Sequence, residues 1–128
     1  MVRFLTPAKV KPPFARYSHG IEVPAGMRLV FCSGQLGIGP DDSIPEDVAG
    51  QTERCFANIA AILEESGLTL SDIIRINAYV TDRSHLRAYM DVRDRLFADP
   101  APASTLMIVS GFARPEFKVE VEAIAAGK

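Results

Sequence analysis

The chain has no tryptophan, only two histidines and two cysteines, and no block of lysine and arginine. Each scarcity closes a class of function. Cys32 and Cys55 make no disulfide framework and read as small buried hydrophobes in a reducing compartment. His19 and His85 stand at no ligand spacing from a cysteine or from each other, so no metal site is expected. A domain that grips phosphate backbones carries a basic footprint. Here 14 basic residues are interspersed with 16 acidic ones for a net charge of −2, so nucleic acid is not an expected partner. The charge-free stretch from Ala101 to Ala113 is too short for a membrane span and is broken by Pro102, Ser104, Ser110 and Gly111. Met1 to Phe14 holds Arg3, Lys9, Lys11 and three prolines without an apolar h-region. It reads as a loosely docked N-terminal arm, and a soluble cytoplasmic protein is the expectation.

What is present suits one domain over residues 1–128, with 48% hydrophobic residues to build its core. Tyr17 to Val23 reads as a short strand. Pro24-Ala25-Gly26 is a turn signal, and Arg28 to Gln35 a second strand, together a hairpin. A helix is predicted from about Asp47 to Ser66, with Cys55, Phe56, Ile59, Ala60 and Leu63 on one apolar face and Gly67 placed to end it. Asp72 to Val80 is a strand with Ile74, Ile76, Ala78 and Val80 on one side and Ile73, Arg75, Asn77 and Tyr79 on the other. A second helix runs from about Ser84 to Ala98, capped by Asp82 or Ser84, with Leu86, Tyr89, Met90, Leu96 and Phe97 as its stripe. Ser104 to Phe112 and Glu116 to Ala126 close the chain as strands. The order ββαβαββ predicts an α+β domain with two helices on one face of a mixed sheet. The other face, apolar in places, is then an association site for further copies.

The run Phe31-Cys32-Ser33-Gly34-Gln35-Leu36-Gly37 resembles the Ser-Gly-Gln strand of the RidA/YjgF family. Gln51-Thr52, Asn58-Ile59 and Ile62-Leu63 resemble its first helix, Tyr79-Val80-Thr81-Asp82 the end of its next strand, and Val119 to Ala125 its closing strand. The resemblance runs from about Tyr17 to Ala126. It implies a chorismate-mutase-like homotrimer whose three sheets form a central barrel, with clefts between subunits that bind small carboxylates. It implies hydrolysis of reactive enamines and imines, such as those released by pyridoxal-phosphate enzymes, to keto acids and ammonia, without a cofactor. The matching positions are Tyr17, Ser33 and Glu120 as catalytic residues and Gly34 beside Ser33 in substrate binding.

One position departs from the pattern. Where the family carries a Pro-Ala-Arg-like motif whose arginine grips the substrate carboxylate, this chain reads Pro102-Ala103-Ser104-Thr105-Leu106, and Met90 replaces a common asparagine. A guanidinium fork holds a carboxylate by two charge-assisted bonds, and a serine hydroxyl offers one neutral bond. Losing a charged hydrogen bond costs about 1.5–3 kcal/mol, roughly 10- to 150-fold in affinity. Arg16 and Arg114 are the candidates for a compensating cation by sequence proximity, Arg16 pointing away from Tyr17 if both are extended. Glu120 alternates with Val119 and Val121 and so also reads as part of a solvated strand face; as a cleft residue it would activate water, its pKa raised by burial. Ser33 has no triad partners at a readable spacing. Three readings follow in order: an imine or enamine hydrolase with an atypical substrate, a non-catalytic trimeric metabolite-binding protein, and an endoribonuclease, against which the net charge of −2 argues.

Overall fold

The helical periodicity of the central segment is realised in a computed structural model that describes all of residues 1–128. The first helix, α1, spans Val48–Glu64 and buries Cys55, Phe56, Ile59 and Leu63 along one stripe. It ends where Gly67 turns to φ 72°, a conformation that costs a side chain strain. Gly67 N–H then donates to Glu64 O and Leu68 N–H to Leu63 O, and both leucines enter the core. The second helix, α2, spans Leu86–Leu96 and follows a 3₁₀ turn at Arg83–His85, which Asp82 caps through the Ser84 N–H.

Six strands accompany the helices: β1 (Arg3–Leu5), β2 (Gly20–Glu22), β3 (Arg28–Leu36), β4 (Ile73–Val80), β5 (Ala103–Ile108) and β6 (Val119–Gly127). The main sheet has the order β3-β6-β4-β5, antiparallel except for the parallel pair β4 and β5. A parallel pair needs a crossover, and α2 supplies it. The architecture is α+β, with both helices on one face of a mixed sheet.

Three local expectations are corrected. The predicted hairpin does not form: β2 pairs with β1, aided by an Arg3–Glu22 ion pair at 3.0 Å, and β3 pairs with β6. A turn signal shows that the chain reverses, not that its flanks pair; β3 must lay Cys32 over α1, and the small residues Ala123 and Ala125 of β6 fit beside it. The N-terminal arm is accordingly tied down at Arg3–Leu5. In β4, Ile73 rather than Ile74 joins the helix-side core, because a bulge between Ile73 and Arg75 resets the alternation.

The helix-side core gathers Ile76, Ala78, Val80, Val119 and Val121 from the sheet under Phe56, Ile59, Leu63 and Tyr89. Phe56 packs edge-on to Phe97 at 5.4 Å. Cys32 and Cys55 are both buried, and burial pushes the Cys55 thiol up to about 12. The opposite face is uncovered, and Phe31 (69% exposed) and Met107 (53%) stand open on it. No helix is long and apolar enough to cross a membrane.

Ile59 is fully buried between α1 and the sheet. Ile59→Ala is expected to lower the unfolding free energy by about 2–5 kcal/mol, read as an earlier urea midpoint. A loss under about 0.5 kcal/mol would contradict this placement of α1.

Candidate functional site

Residues opposite one another in a sheet point to the same face, so the strand register decides which candidate residues meet. Ser104 pairs with Ile76, a core residue, and so faces the helices. Glu120 pairs with Tyr79 on β4 and with Leu36 on β3, and so faces the open side. Within one chain, Ser104 and Glu120 therefore stand on opposite faces of the same sheet. The structure divides the expected site residues into two groups.

The first group lines a cavity of ≈430 Å³ between α2 and β5. Tyr17 reaches it because its neighbour Ser18 is stitched to the start of β5: Ser18 N–H donates to Pro102 O, and its hydroxyl to Ala101 O. Tyr17 packs edge-on between Phe14 at 6.2 Å and His19 at 5.7 Å. His19 is held in turn through Nε2 by Lys11 O at 2.6 Å. Ser104 stands on the floor with its Oγ buried and without a hydrogen-bond partner. Met90, Leu86 and Leu106 supply apolar walls.

Neither cation suggested by sequence proximity enters this cavity. Arg16 donates through Nη1 to Asp94 O and Phe97 O, both at 3.1 Å, and so closes the C-terminal end of α2. Arg114 lies over the Phe117 ring at 4.8 Å with Glu116 3.9 Å away, and is not among the lining residues. The charged residue that does line the cavity is Arg93 of α2, only 4% exposed. The sequence reading missed it. Its signal was present: Arg93 continues the spacing Leu86, Tyr89, Met90 on the apolar stripe of α2, where a solvated arginine has no reason to stand.

The second group lies on the open face. β3 bulges between Cys32 and Gln35, and this bulge brings Gly34 against Glu120. A Cβ at position 34 would sit 2.7 Å from the Glu120 carboxyl carbon, so the carboxyl occupies the space that only a glycine leaves. Ser33 is exposed on the same bulge. The Glu120 carboxyl forms neither a hydrogen bond nor an ion pair within the chain. Partial burial, and then the charge of Glu122, hold its pKa above the usual carboxylate range. Glu122 is held differently, its Oε1 accepting from Asn77 Nδ2 at 3.0 Å and from the Tyr79 hydroxyl at 3.1 Å. No group of three His, Cys, Asp or Glu side chains is arranged to hold a metal.

The family model described as "Endoribonuclease L-PSP" matches residues 8–127. A RutC family protein of Pyrococcus abyssi is 32% identical over 119 residues, covering 91% of each chain. The chain belongs to the RidA/YjgF family. Its fold matches YyfB of Yersinia pestis, described as a protein of unknown function of the Rid family, with TM-score 0.84, 27% identity and 97% of each chain covered. A 2-iminobutanoate/2-iminopropanoate deaminase of the mite Dermatophagoides farinae is 25% identical over 124 residues, 95% of this chain and 94% of the mite protein. The RidA/YjgF fold thus carries this chain's Gly34–Glu120 contact on one face and the Arg93–Ser104 cavity on the other.

The pKa of Glu120 has a consequence for stability. A carboxyl whose folded pKa lies above its unfolded value prefers the folded state when protonated. It therefore withdraws stability as pH rises from the unfolded value through the folded one. Glu120→Gln removes that loss. The variant is expected to melt higher than the parent at pH 8, with the gap closing as pH falls below about 4, the unperturbed glutamate value. A gap that does not change with pH would show that the shift is absent.

Proposed function

We propose that the chain acts as a homotrimer that hydrolyses a reactive imine, or the enamine that tautomerises to it, at clefts between copies. The observation that carries the reading is the Glu120 carboxyl, unpartnered, half-buried over Gly34 and raised in pKa. Trimerisation is favoured by the two-faced geometry. β3 and β5 are the edges of the main sheet. Three copies with their open faces toward one axis would bury Phe31 and Met107 and bring the β3 edge of one copy beside the β5 edge of the next. Glu120, Gly34 and Ser33 of one copy would then meet Tyr17 and Ser104 of its neighbour. A cytoplasmic location belongs to the same reading.

The chemistry needs no redox step or cofactor. The ionised Glu120 takes a proton from water as the water oxygen bonds to the imine carbon. That proton passes to the imine nitrogen, giving a carbinolamine. Glu120 then takes the hydroxyl proton and delivers it to the amine nitrogen as the carbon–nitrogen bond breaks and the carbonyl forms, so that a carbonyl compound and ammonia leave. A carboxyl with a raised pKa suits both halves of this transfer. Ser104, where the resemblance implies an arginine, makes the substrate atypical.

The test is to generate 2-iminopropanoate and related imino acids in situ and follow their disappearance. Hydrolysis above the buffer rate is expected, falling about 10²- to 10⁴-fold in Glu120→Gln. A rate equal to buffer across the series would remove the catalytic reading. Sedimentation is expected to show a trimer, and a stable monomer at micromolar concentration would overturn the shared site.

A second reading, a trimeric metabolite-binding protein without catalysis, is favoured by the neutral Ser104 on the cavity floor. Restoring a cation with Ser104→Arg separates the two. Activity that rises with the added fork supports a working hydrolytic site, and tighter ligand binding with no turnover supports the second reading. A ribonuclease activity is disfavoured by the net charge of −2 and by Glu120 and Glu122 on the open face.

A further inference from the structure

We infer that Arg93 makes the cavity between α2 and β5 a receptor for a small monocarboxylate with an apolar chain. The inference rests on reading this cavity as the ligand-binding half of the site. Arg93 is the one charged residue among its lining side chains, and no acidic residue joins it there. The other walls, Leu86, Met90 and Leu106, suit a hydrocarbon chain, and ≈430 Å³ is at the small end of ligand pockets, which run about 300–1,000 Å³.

The hydrogen bonding of Arg93 leaves it available. Nε and Nη2 both donate to Asp94 Oδ1, at 3.2 and 3.1 Å, and Nη1 has no protein acceptor. Asp94 is the next residue along the helix, so it reaches only one side of the guanidinium, and its own side chain is 39% exposed and screened by water. The Arg93 guanidinium carbon lies 5.8 Å from the centroid of the Tyr89 ring, which supports the cation without accepting a conventional hydrogen bond. The Asp94 contact thus fills the Nε–Nη2 edge and leaves Nη1 without a partner, and unpaired buried donors are costly. Ser104, also a lining residue, keeps its unpartnered hydroxyl buried beneath the cavity surface. A carboxylate would accept from Nη1. Its chain would then lie along Met90 and Leu106.

Because α2 is part of the chain that folds under β5, this cation approaches the cavity from the helix side rather than from the strand. A ligand held by Arg93 is therefore anchored on the roof, and the space beside Ser104 is left for atoms that an arginine at position 104 would displace. This favours branched or longer apolar chains over the smallest imino acids.

The test is a calorimetric or NMR titration of the full chain with isovalerate and with its neutral isostere isovaleramide. The parent protein is expected to prefer the acid roughly 10- to 150-fold, the worth of a charge-assisted hydrogen bond. Arg93→Gln should bring the two ligands to within about threefold. Asp94→Asn, which leaves the guanidinium free of its neighbour, should widen the preference, and this second variant decides the matter if Arg93→Gln does not fold. Equal binding of acid and amide by the parent, no binding of either, an unchanged preference in Arg93→Gln, or a narrowed one in Asp94→Asn would each overturn the inference. The imine assay is independent of this titration. An acid preference that depends on Arg93 in a protein without imine turnover upholds the receptor and removes only the catalytic reading.

Discussion

A pleated strand sends neighbouring side chains to opposite faces, and in this chain that alternation governs everything else. The helix-side residues of β4 and β6, from Ile76 to Val80 and from Val119 to Ala125, fit under α1 and α2, and this fixes the register. The same register then commits Glu120, Glu122, Asn77 and Tyr79 to the other side. A slip by one residue would expose the valines and bury the carboxylates together. The core therefore holds the acidic face in position.

From this constraint follows the division of labour between the faces. The covered face holds a cavity at its edge, where α2 arches over β5, and its polar atoms are Arg93 and Ser104. The uncovered face holds Glu120 against the glycine of a bulge. An apolar, partly acidic sheet face is a poor surface to leave in water, so in the proposed trimer self-association and assembly of the site would be two aspects of one arrangement.

The helices were legible because a 3.6-residue period of Cys55, Phe56, Ile59 and Leu63 has one physical solution, and the closing strands because valine and glutamate alternate strictly from Val119 to Glu122. Pairing was less legible. Nothing local in Gly20 to Glu22 says that its partner is Arg3 to Leu5 rather than the strand after the turn, since pairing is decided by which surfaces remain uncovered. The bulge at Ile73–Arg75 was hidden because four alternating residues look the same with or without one inserted. For the candidate site, the motifs single out Tyr17, Ser33, Gly34, Ser104 and Glu120, but which of them meet depends on faces. Arg93 is not part of any motif: it is not adjacent in sequence to Tyr17 or Ser104, and only its place on the apolar stripe of α2 marks it as buried.

The contacts that shape the cavity also have a kinetic meaning. Ser18 bonds to Ala101 across 83 residues, and Arg16 to Phe97 across 81 and to Asp94 across 78. Loops of that length close only after the local helices and neighbouring strands have reduced the entropy of the chain between them. These separations predict that the pocket is completed late, when the N-terminal segment docks on an already formed β5 and α2. Partly folded chains, which expose the most aggregation-prone surface, lack the wall that Tyr17 provides. The proposed ligand of the cavity would then bind the finished fold alone and so select finished molecules from the rest.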